Sequence, residues 1–233
     1  MPVAATAARE ISPANLAATE AYSRLYLNLQ WAAGRRLRTL LLTSPLPGDG
    51  KTTSAVQLAA AATRHQQRVL LIDADLRCTG LTRSLSLQNK PGLANVMAGA
   101  SALRDVVLRT EVSPSIHVDV VAAGTQAVDS TVPLGVQRLQ DLLESASTYD
   151  LVLIDTPPVN VVADAAAIAA VTDGVLLVAR AGETVPAALQ VALEQLQRAG
   201  GRVLGTLLNA ADFARDEGYG SLEYYRPYTL AHA

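Results

Sequence analysis

The sequence predicts an α/β fold: a doubly wound, mostly parallel sheet with helices on both faces, in three layers. Short apolar runs recur at 40–42, 69–72, 151–154, 175–178 and 203–208. They are continuous rather than alternating, as expected of strands buried on both faces in a parallel sheet. Helix-compatible segments lie between several of them, so right-handed crossovers join the strands. A glycine-containing loop follows the first run and opens an Ala-rich segment, which makes a phosphate-binding strand–loop–helix unit.

Taken in order, the elements divide the chain into three parts. Residues 1–36 form an N-terminal segment. Within it, Tyr22, Leu25, Tyr26 and Leu29 keep the i, i+3, i+4, i+7 spacing of an amphipathic helix over 19–31. Residues 37–211 form the nucleotide-binding domain. Its Ala-rich stretches at 59–62 and 165–170 favour helix and allow close packing. A weaker sixth strand at 116–121 is interrupted by His117 and Asp119. Residues 212–233 are polar and turn-rich, with Asp212, Asp216, Glu217 and Glu223 against Arg215 and Arg226, and read as a flexible tail.

Composition narrows the function. A chain of 233 residues, half of them hydrophobic, suits one α/β domain with appendages. A net charge of −2 argues against a general nucleic-acid binder. Cys78 is the single cysteine, which fits a reducing cytoplasm and disfavours a Cys-based zinc site. The first residues lack the basic region and apolar core of a signal peptide. The longest near-apolar stretch, 159–171, contains Asn160 and Asp164, so no membrane helix is expected. Membrane attachment would come through a partner.

The loop reads Ser44-Pro45-Leu46-Pro47-Gly48-Asp49-Gly50-Lys51-Thr52-Thr53. Backbone N–H groups near Gly48 and Gly50 can turn inward to phosphates. Lys51 can reach the β/γ-phosphates, and the Thr52 hydroxyl can ligate Mg²⁺. The common motif has Gly where Pro45 stands, so this is a variant loop. Pro47, Gly48, Asp49, Gly50, Lys51, Thr52 and Thr53 are the expected nucleotide-binding residues.

Two apolar runs end in carboxylates: Asp73 and Asp75 after the second, Asp155 after 151–154. In an open parallel sheet this carboxyl edge is where ligands bind. Asp155 is the expected Mg²⁺ carboxylate, directly or through water. Asp73 and Asp75 lie two apart on extended chain and share a side. One can enter the metal shell while the other orients or deprotonates a nucleophile.

Together these motifs resemble the bacterial tyrosine kinases of capsule and exopolysaccharide synthesis, within the ParA/MinD-type ATPase group. The Pro-Gly-acid-Gly-Lys-Ser/Thr loop is matched at Pro47 to Thr52. The Asp-x-Asp-x-Arg segment is matched by Asp73, Asp75 and Arg77. The Tyr-Asp-x-x-x-x-Asp-Thr-Pro-Pro segment is matched from Tyr149 to Pro158. Further similarity lies at 92–99, 173–178 and 203–209. The resemblance implies in-line transfer from Mg·ATP to a tyrosine hydroxyl. Lys51, Asp73, Asp75 and Asp155 would be catalytic, and Thr52, Asp155 and Asp73 would surround the metal. Asp75, with Asp73 as the alternative, would take the tyrosine proton. It also implies that Asn209 touches the adenine, although Asn209 reads equally well as a turn residue.

The same resemblance implies autophosphorylation of a C-terminal tyrosine cluster. Tyr219, Tyr224, Tyr225 and Tyr228 are four of the seven tyrosines, packed into ten residues. A flexible tail could carry them to a neighbouring active site, and each phosphate would add nearly two negative charges. The implied partners are the cytoplasmic segment of a membrane chain-length regulator and further copies of the chain, with room for a cognate tyrosine phosphatase. The location is the cytoplasm, at the inner face of the membrane. One departure concerns oligomers. The family pattern Glu-x-x-Arg-x-x-Arg becomes Glu20, Ser23 and Tyr26 here, with Arg24 one position off. Two rivals stand beside this reading. A partitioning-type switch ATPase carries a signature Lys where Leu46 stands here. An ATP-binding adaptor without kinase activity would share every binding motif.

Overall fold

The computed structural model describes residues 13–125 and 135–211. The tail, with Tyr219, Tyr224, Tyr225 and Tyr228, lies outside them.

The elements run α1 (Pro13–Ala33), β1 (Thr39–Thr43), α2 (Lys51–Arg64), β2 (Val69–Asp73), α3 (Gly80–Ser84), α4 (Leu93–Met97) and α5 (Leu103–Val106). They continue with β3 (Val107–Ser113), β4 (Ile116–Val121), α6 (Val136–Ser145), β5 (Leu151–Asp155), α7 (Asp164–Ala169), β6 (Gly174–Arg180), α8 (Pro186–Arg198) and β7 (Val203–Asn209). Among the described residues the strands form one sheet in the order β3-β4-β2-β5-β1-β6-β7. All neighbours are parallel except β3, which runs antiparallel to β4 at the edge. The doubly wound, mostly parallel prediction is therefore correct.

Alternation along the central strands supplies two cores. Leu40 and Leu42 of β1, Leu71 of β2 and Leu153 of β5 face α1 and α2. Leu41, Leu70, Ile72, Val152 and Ile154 face the layer of α4, α6, α7 and α8. Successive side chains point to opposite faces, so a strand covered on both must be apolar throughout. Truncating one of these leucines to alanine costs roughly 2–5 kcal/mol.

The amphipathic stripe of 19–31 lies inside a longer helix, α1. Tyr26 and Leu29 are buried against α2, and Tyr22 and Leu25 pack beside them. Tyr26 meets the His65 ring at a centroid distance of 5.1 Å. The residue standing in place of a family arginine thus faces its own domain. The strand at 116–121 is β4. Its two polar interruptions sit on one face: His117 is exposed, and Asp119 accepts hydrogen bonds from Tyr149 and Arg109.

Strand β3 is the element the apolar pattern does not reveal. Its sequence, Val-Leu-Arg-Thr-Glu-Val-Ser, is interrupted by three polar residues in a row, of which Arg109 and Glu111 are exposed. A short turn joins it to β4, so it needs no crossover and can be antiparallel.

The candidate nucleotide site

Strand β1 ends at Thr43, and the loop 44–50 turns at its carboxyl end into α2. Gly48 and Gly50 adopt left-handed φ values of 90° and 95°. A side chain at Gly50 would lie 1.9 Å from Asn209 Nδ2, so only glycine fits there. Gly50 is also the N-cap of α2, and its carbonyl accepts from the Ser54 N–H. The first amides of α2 and the positive end of its dipole therefore open toward the sheet edge.

The flanking strands bring the carboxylates to the same edge. In the parallel register Asp73 lies beside Asp155, and Asp155 beside Leu42. The Thr52 hydroxyl donates to Asp155 Oδ2 at 2.7 Å. Asp155 Oδ1 is buried and has no partner among the described residues. Burial pushes the Asp155 carboxyl up to about 7, opposed by the Thr52 hydrogen bond and the Lys51 charge. Lys51 Nζ stands 3.5 Å from Asp75 Oδ2, both groups largely buried. Asp75 Oδ1 accepts from the Cys78 N–H at 3.0 Å.

The structure thus brings Lys51, Thr52, Asp75 and Asp155 together. Asp73, expected among the metal ligands, lies beside Asp155 and makes hydrogen bonds of its own. Its Oδ2 accepts from both the N–H and the hydroxyl of Thr82, and its Oδ1 accepts from the Asp75 N–H. Burial raises its carboxyl, and these hydrogen bonds oppose the rise. These three bonds orient the turn that carries Asp75 and leave about one acceptor position on the carboxylate. Thr82 Oγ1 in turn accepts from the Ala123 N–H, tying β2 to the end of β4.

Asp49, expected at the nucleotide, likewise spends its side chain on the loop. Its Oδ2 accepts from the Leu46 N–H and its Oδ1 from the Thr184 hydroxyl. Pro47, Gly48 and Thr53 are exposed. Asn209 ends β7 and donates from Nδ2 to the Asp49 carbonyl at 3.0 Å. The sequence reading did not single out Thr82, Thr184 or Asp164, the last of which pairs with Arg77 at 3.3 Å. Thr184 and Asp164 act across 135 and 87 positions, and Thr82 reaches Asp73 from nine residues further on; none of the three lies in a local motif.

The donor set fits a divalent cation. A carboxylate and a hydroxyl are hard oxygen ligands, and an orphaned buried oxygen such as Asp155 Oδ1 calls for a positive partner. Among the described residues no helix is long and apolar enough to cross a membrane.

Comparison with known proteins gives the lineage. A family model described as an AAA domain matches residues 44–199. The chain is 32% identical over 204 residues to tyrosine-protein kinase YwqD of Bacillus subtilis, covering 87% of this chain and 85% of that one. It is 40% identical over 197 residues to the putative tyrosine-protein kinase EpsB of Ralstonia solanacearum, and there it spans about a quarter (26%) of the relative. Among solved structures, the kinase domain of Escherichia coli tyrosine kinase ETK superposes with a TM-score of 0.75 at 32% identity. That match covers 86% of this chain and 80% of the other. By sequence along nearly its whole length and by fold, the chain belongs to the bacterial tyrosine-protein kinases built on an AAA-type nucleotide-binding domain.

Proposed function

We propose that this chain is an ATP-dependent protein-tyrosine autokinase. It phosphorylates its own C-terminal tyrosines between copies and so regulates polymerisation and export of an exopolysaccharide or capsule. The observation that carries the reading is the meeting of Lys51, Thr52, Asp75 and Asp155 at one sheet edge, beneath the amino end of α2.

In this reading the loop amides and Lys51 hold the phosphates of ATP. Lys51 exchanges its Asp75 partner for phosphate when nucleotide enters, which leaves Asp75 to receive the tyrosine proton. The phenol has an ordinary pKa of about 10, so a nearby base assists its attack on the γ-phosphorus. Thr52 and Asp155 would hold Mg²⁺, which supplies charge neutralisation during phosphoryl transfer. Asn209, packed at Gly50, borders the nucleoside end. Tyr219, Tyr224, Tyr225 and Tyr228 are the acceptors. The cytoplasmic segment of a membrane chain-length regulator recruits the protein to the inner face of the membrane, a homo-oligomer presents one tail to the next site, and a tyrosine phosphatase can reverse the reaction.

The test is phosphotyrosine immunoblotting of the purified chain after incubation with Mg·ATP. Lys51→Met is expected to lose the signal while its thermal unfolding stays within a few degrees. Undiminished signal in pure Lys51→Met protein would overturn the site assignment.

A further inference from the structure

We propose that Thr184, in the turn between β6 and α8, is a positioning residue that holds the phosphate loop open for nucleotide. The inference rests on the nucleotide-binding reading above. Three hydrogen bonds carry it. The Arg180 N–H donates to Thr184 Oγ1 at 2.7 Å, and the Thr184 hydroxyl donates to Asp49 Oδ1 at 2.7 Å. The Leu46 N–H donates to Asp49 Oδ2 at 3.0 Å. Thr184 is therefore fixed by its own turn before it grips the loop.

The chemistry explains why this grip is needed. Asp49 stands between two left-handed glycines, in the bend whose amides would receive phosphate, and it is only 4% exposed. A carboxylate there is an internal anion beside an anion site. While Thr184 and Leu46 supply donors to both of its oxygens, it is turned away and braces the bend. Without the Thr184 hydroxyl, Oδ1 is a buried acceptor without a partner, which is costly. Asp49 already accepts from one loop amide, that of Leu46, and a carboxylate freed from Thr184 turns to further loop amides and competes with phosphate for them. Two further contacts clamp the same bend from the same side. Arg180 donates to the Gly48 carbonyl at 3.3 Å, and Asn209 to the Asp49 carbonyl.

The test is binding of a fluorescent Mg·ADP analogue to the full chain, with steady-state phosphotyrosine formation beside it. Thr184→Val keeps the shape and removes the hydroxyl. It is expected to weaken nucleotide binding about ten-fold, the effect of one such hydrogen bond. The KM for ATP rises in step, while kcat at saturating ATP stays within about two-fold. Thr184→Ser restores binding, because it restores the donor. In an Asp49→Asn background Thr184→Val adds no further loss, because the competing anion is gone. Wild-type affinity in Thr184→Val would overturn the proposal. So would equal impairment of the Ser and Val variants, or a full ten-fold effect of Thr184→Val on top of Asp49→Asn. If the wild-type chain itself binds no nucleotide, the functional reading fails instead, and Lys51→Met marks the baseline for that outcome.

Discussion

Replacing Asp155 by asparagine should stabilise the metal-free protein at alkaline pH while impairing the site. Asp155 is fully buried, one oxygen has no partner among the described residues, and burial lifts its carboxyl from 3.8 to about 7. A pKa raised on folding disfavours the folded state wherever the group must ionise. The penalty is absent below about pH 4, grows between pH 4 and 7, and is constant above. A pKa gap of about 3 at ~1.4 kcal/mol each gives an upper bound of about 4 kcal/mol. Local relaxation reduces this to roughly 2–3 kcal/mol, or about 5–10 °C in Tm for a chain of this size. Asparagine is neutral at every pH and keeps an acceptor for the Thr52 hydroxyl. Urea unfolding in EDTA should therefore show Asp155→Asn more stable than wild type at pH 8 and within about 1 kcal/mol of it at pH 4.5. Mg·ADP should then reverse the order, by stabilising the wild type more than the variant. Equal destabilisation of Asp155→Asn at both pH values would refute the reasoning, since the carboxylate would then carry no burial penalty.

Two further substitutions probe the frame around the site. Gly50→Ala forces a Cβ onto Asn209 at a left-handed φ and should cost about 2 kcal/mol in denaturant unfolding; adding Asn209→Ala should recover only part, because the backbone strain remains. Asp173 Oδ2 accepts from the N–H groups of Arg38 and Thr39 and from the Thr39 hydroxyl, so Asp173→Ala should cost roughly 2–3 kcal/mol, whereas Arg35→Ala, which removes an exposed ion pair with the same aspartate, should cost under about 1 kcal/mol.

Much of this architecture was legible because burial on both faces leaves an unmistakable mark. Leu40 to Leu42 and Leu151 to Ile154 can be apolar throughout only if both sides of the sheet are covered. The carboxylates stood out for the converse reason: Asp73 and Asp155 end apolar strands at the one edge where ligands gather. Strand β3 escaped because Arg109, Thr110 and Glu111 interrupt its apolar residues at a half-exposed edge, and α5 runs directly into it. Side-chain assignments within the site were harder. Motif spacing puts Asp73 and Asp49 near the nucleotide, but what their oxygens do depends on Thr82 and Thr184. Thr184 is 135 positions from Asp49, and nothing in the local sequence of either marks the contact. The position of Tyr26 illustrates the same limit: a helical stripe tells that one face is buried, and packing against His65 tells which.

The central claim is phosphoryl transfer from ATP to this chain's own tyrosines. The most direct measurement is site mapping by mass spectrometry of the purified protein after incubation with Mg·ATP, beside Lys51→Met. The account predicts phosphate on one or more of Tyr219, Tyr224, Tyr225 and Tyr228, and none in the variant. Release of ADP with no phosphotyrosine anywhere on the chain would contradict it and indicate a switch ATPase.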